Sequence, residues 1–221
     1  ALRFPVKNIS LTEAEILNLL SDADPETRKI AGKSLSEVLE NNKRIFGMIL
    51  NVISRDRFIE DNKRGFKRIM SSRNLDNDVE DEVVDKLVNT VDKAMPKLTH
   101  RYYKWKANQF GQTKLDWWDR NAPLPHSFEN LIKWSEAKDI ILDSFSSFHP
   151  EISNLAELFF KNNWIDASLR KGKASGAFAH PSVPSLHPYI LVNYQGKIRD
   201  VMTLAHELGH GVHQILAGKN G

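Results

Sequence analysis

The chain has 221 residues, 41% of them hydrophobic and 27% charged, with a formal net charge of +3. That is the profile of a globular protein able to bury its own core as one or two domains. No apolar run approaches the ~20 residues with which a helix crosses a bilayer, so no membrane partner is expected. The composition excludes disulfide frameworks and thiolate metal sites, because there is no cysteine, which suits a reducing, cytoplasmic address.

In chain order, the sequence reads mostly as helix. Ser10 with Glu13 forms a capping-box pattern ahead of Ile16, Leu19 and Leu20. "DPE" at 24–26 supplies a cap, a proline at the first helical position and an early acid. The helix it opens carries Ile30, Leu35, Val38, Leu39, Ile45, Ile49 and Leu50 at helical spacing. "DVEDEVVDKLVNTVDKAM" predicts another, with Val83, Val84, Leu87 and Val91 on its apolar side. "PKLTHRYYKWKANQF", "SFENLIKWSEAKDIILDSFSSF" and "PEISNLAELFFKNNW" predict three more, separated by loops such as "GQTKLDWWDRNAPLPHS". The two adjacent tryptophans there read as packing residues, and the charged run "EDNKRGFKR" as a solvated helix end.

After residue 170 the pattern changes. "RKGKASGAF" is small, basic and loose, a predicted loop. "GAFAHP" and "YILVNY" predict short strands, the second β-branched and aromatic between Pro188 and Gly196. A helical body over 1–165 and a second region over 166–221, with short strands and a final helix, are the expected division. The chain starts at Ala1 and ends on "LAGKNG", so a fragment of a longer protein is expected.

The final helix carries "DVMTLAHELGHGVHQIL", with Asp200 as its expected N-cap and Val201, Leu204, Ala205, Leu208, Val212, Ile215 and Leu216 on its buried face. Within it His206, Glu207 and His210 read H-E-x-x-H. Residues four apart share a helix face, so both imidazoles can turn a nitrogen to one ion. Zinc accepts neutral imidazoles at about 2.0–2.1 Å and, in catalytic sites, keeps a position for water. Glu207 is then placed to take that water's proton as a carbonyl is attacked. The competing reading is a helix whose histidines are structural. Gly209 and Gly211 each weaken a helix by about 1 kcal/mol relative to alanine, which argues that close packing or substrate approach requires them.

His213 lies about 10 Å along the axis from His206 at 1.5 Å per residue, too far to share the ion. The extended H-E-x-x-H-x-x-G-x-x-H pattern fails as well, because His213 and Leu216 stand at its glycine and last histidine. Residues 208–221 contain no Asp or Glu. A third ligand must come from elsewhere. His180 and His187, in a proline-rich stretch, could contact substrate or ion, but loop histidines are more often solvated or structural, and they are not counted among the metal ligands. "HRYYKWK" interleaves bases with aromatics, but on a helix the aromatics are expected to form a core face, and no nucleic-acid stripe results.

Together, "SGAFAHPSVPSLHPYILVNYQG", "DVMTLAHELGHGVHQ", "LTHRYYKWKANQFG" and "LDWWDRNAPLP" resemble the M3 family of zinc metallopeptidases, of the oligoendopeptidase F type. The resemblance implies a mainly α, zincin-like metallopeptidase fragment with a small β-sheet before the H-E-x-x-H helix. It implies an endopeptidase that hydrolyses internal bonds of short peptides, with one zinc on His206 and His210 and Glu207 as general base. The third ligand it implies is a glutamate on a later helix, beyond Gly221, along with a tyrosine and a histidine that assist the reaction. The remaining C-terminal part of the same protein is thus an expected partner, beside short peptide substrates. "SGAF" resembles the family's edge strand, so Gly176, Ala177 and Phe178 are the expected substrate-binding residues, gripping an extended peptide through the main chain. The alternatives are a catalytically inert fragment, or a non-enzymatic helical module with a structural zinc or no metal.

Overall fold

The computed structural model describes residues 2–125 and 130–220. It is mainly helical, with two small sheets. The chain separates into two compact units, one of residues 2–11 and 16–125 and one of residues 12–15 with those from 126 on.

In the first unit, β1 (Phe4–Val6) and β2 (Ile9–Leu11) form an antiparallel hairpin. The left-handed backbone of Lys7, at φ 53°, turns the chain between them. Next comes α1 (Glu13–Leu19). Its capping box is Thr12 with Glu15, not Ser10 with Glu13. Glu15 accepts the Thr12 N–H at 2.6 Å, and the Thr12 hydroxyl accepts the Glu15 N–H at 3.3 Å. Ser10 is instead paired in β2. The cap at α2 (Pro25–Asn41) is as expected, with the Asp24 carboxylate accepting the Glu26 and Thr27 N–H groups.

What reads as one helix from 25 to 50 is two. Asn42 leaves helical geometry, at φ −104° and ψ 1°, and donates its side-chain amide to the Val38 carbonyl at 2.8 Å. α3 (Lys43–Lys63) starts immediately after it. α4 (Ser71–Asp76) and α5 (Asp81–Ala94) follow. A π-helical turn at Pro96–His100 then runs into α6 (Arg101–Gln109).

The core of this unit is small: Phe4, Val6, Ile16, Leu20 and Ala31, flanked by Ile30, Leu35, Val38 and Trp118. Gly32 lies under both tryptophans, where an added Cβ would meet each at 3.1 Å. The α6 aromatics do not form the expected core face. Tyr102 and Trp105 are nearly half exposed, while Lys106 and Ala107 are buried. The Lys106 ammonium donates to the Arg120 carbonyl at 2.8 Å. Burial, with Arg28 nearby, holds its pKa below the usual lysine value. Arg28 itself makes a 2.8 Å ion pair with Asp119, both sealed from solvent, and donates to the carbonyls of Asp22 and Ala23.

In the second unit, α7 (Trp134–Phe148) and α8 (Pro150–Lys161) pack with the last helix, α9 (Ile198–Ala217). Helix α7 begins later than its sequence suggests. Residues 127–129 of the predicted helix lie outside the described residues, and 130–133 are not helical. Ile132 donates its N–H to the Gly196 carbonyl at 2.8 Å, and its carbonyl accepts the Tyr194 hydroxyl at 2.8 Å. Gly196 is required there. It has φ 90°, and a Cβ would sit 3.1 Å from the Ile132 carbonyl oxygen.

Between α8 and α9 lies a three-stranded sheet in the order β3 (Ile165–Asp166), β5 (Tyr189–Leu191), β4 (Phe178–His180). β3 pairs with β5 in parallel, and β4 pairs with it antiparallel. The core joins Ala137 and Ile141 of α7, Ala156 and Phe159 of α8, Ile190 and Val192 at β5, and Val201, Leu204, Leu208 and Val212 of α9. Two helices that the sequence groups with the 1–165 body thus share their core with the motif helix. Among the described residues no helix is long and apolar enough to cross a membrane.

Candidate metal centre

Asp200 starts α9, but from inside the helix. The first helical residue is Ile198, so Asp200 is the third. Its carboxylate reaches back to accept the N–H groups of Gln195 at 2.9 Å and Lys197 at 3.0 Å, satisfying donors that a helix start leaves open. Val201, Leu204, Leu208 and Val212 then fix the helix's rotation by facing the core. Positions 206, 210 and 213 consequently turn outward, and all three histidines are exposed.

His206 and His210 converge. Their Nε2 atoms stand 3.0 Å apart, with ring planes at 88° and centroids at 4.6 Å. Two nitrogens at zinc-ligand distance in tetrahedral geometry are separated by about 3.3 Å, so the pair is nearly set for one ion. Neutral imidazoles can also share a single N–H···N hydrogen bond across that gap. The chemistry and spacing of the two donors fit a zinc ion. Among the described residues, no cluster of three or more His, Asp or Glu is placed to hold a metal. His213 does not join the pair, as its axial distance requires.

Glu207 is 7% exposed. Its carboxylate makes no hydrogen bond to another described residue, and neither oxygen is among the enclosed atoms without a partner. Each oxygen therefore keeps a route to solvent.

The two motif glycines divide. At Gly211 a Cβ would lie 2.5 Å from Phe159 Cζ, so close packing of α8 on α9 demands glycine. At Gly209 a Cβ would meet nothing within 4 Å. It borders an open cavity of about 670 Å³ whose lining includes Phe145, Phe148, His213 and Leu216.

The segment of Gly176, Ala177 and Phe178 leads into β4, which is an edge strand. Ile190 and Val192 spend their N–H groups on Trp164 and Asp166 on the β3 side. Tyr189 and Leu191 therefore face β4 and pair with His180 and Phe178. In an antiparallel ladder the intervening residues point away, so Ala177 and Ala179 turn their main-chain groups to the open side. The Gln214 side-chain amide reaches the Ala179 carbonyl at 3.4 Å. Gly176 has φ 81° with empty space where a Cβ would be. Backbone conformation, rather than a close neighbour, is what selects glycine there.

Sequence reasoning missed what holds this segment. Lys173, in the stretch read as loose, is buried, and its ammonium donates to the carbonyls of Val192 (2.7 Å), Ser168 (2.9 Å) and Asp166 (3.0 Å) and to the Asp166 carboxylate (3.1 Å). Arg170 closes a two-pronged ion pair on the same carboxylate at 2.6 Å. Arg170, then Lys173, holds the Asp166 pKa down at about 2. Asn193 gives both amide protons to this segment, to the carbonyls of Ala174 and Gly176 at 2.9 Å each. No sequence pattern marks Lys173 and Asn193, because most of their partners are main-chain atoms.

The loop histidines make local contacts. His180 Nδ1 accepts the Ser182 N–H at 3.0 Å. His187 stacks on Trp164 with centroids 3.9 Å apart and planes 7° from parallel.

Comparison with known proteins adds to this geometry. The family model for Peptidase family M3 matches residues 18–221. Oligopeptidase PepF of Bacillus subtilis (strain 168) is 27% identical over 95% of this chain and 31% of its own length. An oligoendopeptidase F homolog of Borreliella burgdorferi is 30% identical over 95% of this chain and 36% of its own. The chain thus spans about a third of the length of these curated relatives. Among solved structures, PZ peptidase A with inhibitor 2 superposes with a TM-score of 0.81 at 22% identity, over 93% of this chain and 37% of that one. A chain from Bacillus anthracis str. Ames, assigned to oligoendopeptidase F, gives 0.83 at 20% identity over 98% and 40%. These two likenesses speak to the fold.

Proposed function

The chain belongs to peptidase family M3, and on that premise we propose that it carries the zinc-binding helix and substrate strand of a metalloendopeptidase that cleaves internal bonds of short peptides. One observation supports this most: two exposed imidazole nitrogens 3.0 Å apart, beside a recessed carboxylate with no other partner. His206 and His210 are the residues that would hold zinc. When bound there, zinc supplies Lewis-acid chemistry to a carbonyl and makes water a stronger acid.

The chain's own residues have distinct tasks. Glu207, recessed and unpaired, is the general base that takes a proton from water and returns it to the leaving amine. The open side of β4 offers the Ala177 N–H and C=O and the Ala179 N–H to an extended peptide. Main-chain pairing of this kind grips many sequences alike. Of the expected trio Gly176, Ala177 and Phe178, only Ala177 offers its main-chain pair to substrate in this reading, since Phe178 pairs with Leu191 and the Gly176 carbonyl accepts from Asn193. The third protein ligand comes from outside these 221 residues, from the remaining C-terminal part of the same protein. The division into a helical body and a catalytic region, and a cytoplasmic site of action, belong to the same proposal.

Glu207→Gln tests the role of the base. In the longer protein it is expected to keep stoichiometric zinc while peptide turnover drops by at least about a hundredfold, the range general bases supply. Near-normal cleavage by that variant contradicts the assignment. A structural zinc predicts the opposite pattern: chelation lowers thermal stability, and no peptidase signal accompanies the metal.

A further inference from the structure

We propose that Lys173 and Asn193 are positioning residues that fix the edge strand β4 in the form that receives a peptide; this rests on the reading of β4 as the substrate strand. The argument begins with how little else holds the segment before β4. From Ser168 to Ala177 the chain has no regular secondary structure, and no apolar side chain of that stretch is buried. Arg170 and Lys173 tie it to Asp166 on β3. Lys173 also reaches across to the Val192 carbonyl, at the end of β5, so one ammonium links β3, β5 and the loop.

Asn193, one residue further on, bonds the carbonyls of Ala174 and Gly176. Position 193 faces 176 in the ladder register set by Phe178 and Leu191. Asn193 therefore continues the pairing with its side chain where Gly176, at φ 81°, has left strand geometry. The two residues do complementary work. Lys173 anchors the base of the loop, and Asn193 anchors its last turn directly before the residue whose outward N–H and C=O would meet substrate. Apart from the Lys173 bond to the Asp166 carboxylate, their donors are used on main-chain oxygens, so the arrangement constrains the path of the backbone directly. A strand that must present its edge without a neighbour needs such restraint, because an unpaired edge frays readily.

Hydrogen exchange on the full 221-residue chain, read by mass spectrometry, tests this. Lys173→Met and Asn193→Asp are compared with the unmodified protein; Asn193→Asp keeps the size of the side chain but replaces its donors with acceptors. Exchange over residues 174–180 is expected to accelerate by at least about tenfold in each variant, with residues 201–212 of α9 within about twofold. Zinc titration of both variants is expected to match the unmodified protein. Unchanged protection over 174–180 in Asn193→Asp overturns the proposal, and so does an equal rise across α9, which would mark a merely structural role. Binding of a fluorescein-labelled octapeptide, followed by anisotropy, separates the two levels. If the strand loosens selectively but the unmodified protein never binds the peptide, positioning of the strand stands and the substrate-strand reading fails.

Discussion

The unit built around α9 and the unit built around α2 use the same kind of amphipathic helix to opposite effect. In the α9 unit, Val201, Leu204, Leu208 and Val212 of the predicted apolar face are buried, with Ile141 and Phe159 sealed beside them, and only Leu216 at the end of the helix is exposed, at 38%. In the α2 unit, Ile45, Ile49 and Leu50 of α3 and Val83, Leu87 and Val91 of α5 are between 44% and 64% exposed, and α5 has no buried residue. Periodicity says that a helix has an apolar face. It does not say what covers that face. The residues proposed to hold zinc fall where the covering is greater, because a helix held on its apolar side presents His206 and His210 at a fixed separation on the other.

Large-to-small substitution should expose that contrast most strongly. Leu204→Ala is expected to lower unfolding free energy by about 2–5 kcal/mol, the range for leucines in a packed core. Leu87→Ala in α5 is expected to change it by less than about 0.5 kcal/mol. Urea denaturation of the two variants measures both, and equal losses would erase the distinction between the units.

The motif glycines sharpen the comparison within a single helix. Gly211→Ala forces a methyl group into the Phe159 ring and is expected to destabilise by about 1–3 kcal/mol. Gly209→Ala meets no atom, so the helix propensity of alanine should stabilise the chain by up to about 1 kcal/mol. Thermal melts that move in opposite directions would bear this out. A loss at both positions would mean that the open side of α9 is more constrained than its surroundings show.

Acid should act on the sheet side of the α9 unit, and by a smaller amount. The Asp166 pKa is about 2 in the folded chain, below the roughly 3.9 of an unfolded aspartate. Its ionised form therefore contributes stability at any pH above about 4, and that contribution is lost as pH falls toward 2. Asp166→Asn removes this component, so its stability should decline less steeply than that of the unmodified chain between pH 4 and pH 2. Identical slopes in the two proteins would show that the Arg170 and Lys173 ion pairs do not couple to folding.

The sequence made the helices and the histidine pair legible for one reason: spacing alone carries them. Residues at i and i+4 share a face in any α-helix, and an apolar side opposite His206 and His210 sets their direction. Features that depend on one local departure were harder to read. Asn42 interrupts an apolar repeat that runs straight through it. Asp200 caps from the third helical position rather than from outside. β3 has two residues, too few to show alternation. Of the α6 aromatics read as a core face, Tyr102 and Trp105 are exposed, while Lys106 is buried with its ammonium on the Arg120 carbonyl. The recessed setting of Glu207, and the Lys173 and Asn193 bonds to main-chain oxygens, required the fold itself.

The most direct measurement is calorimetric titration of zinc into the 221-residue chain and its His206→Ala, His210→Ala and His213→Ala variants. The account predicts one ion per chain, affinity reduced by at least about a hundredfold when either His206 or His210 is removed, and no change on loss of His213. Undiminished binding by His206→Ala or His210→Ala, or binding that disappears with His213, would contradict it.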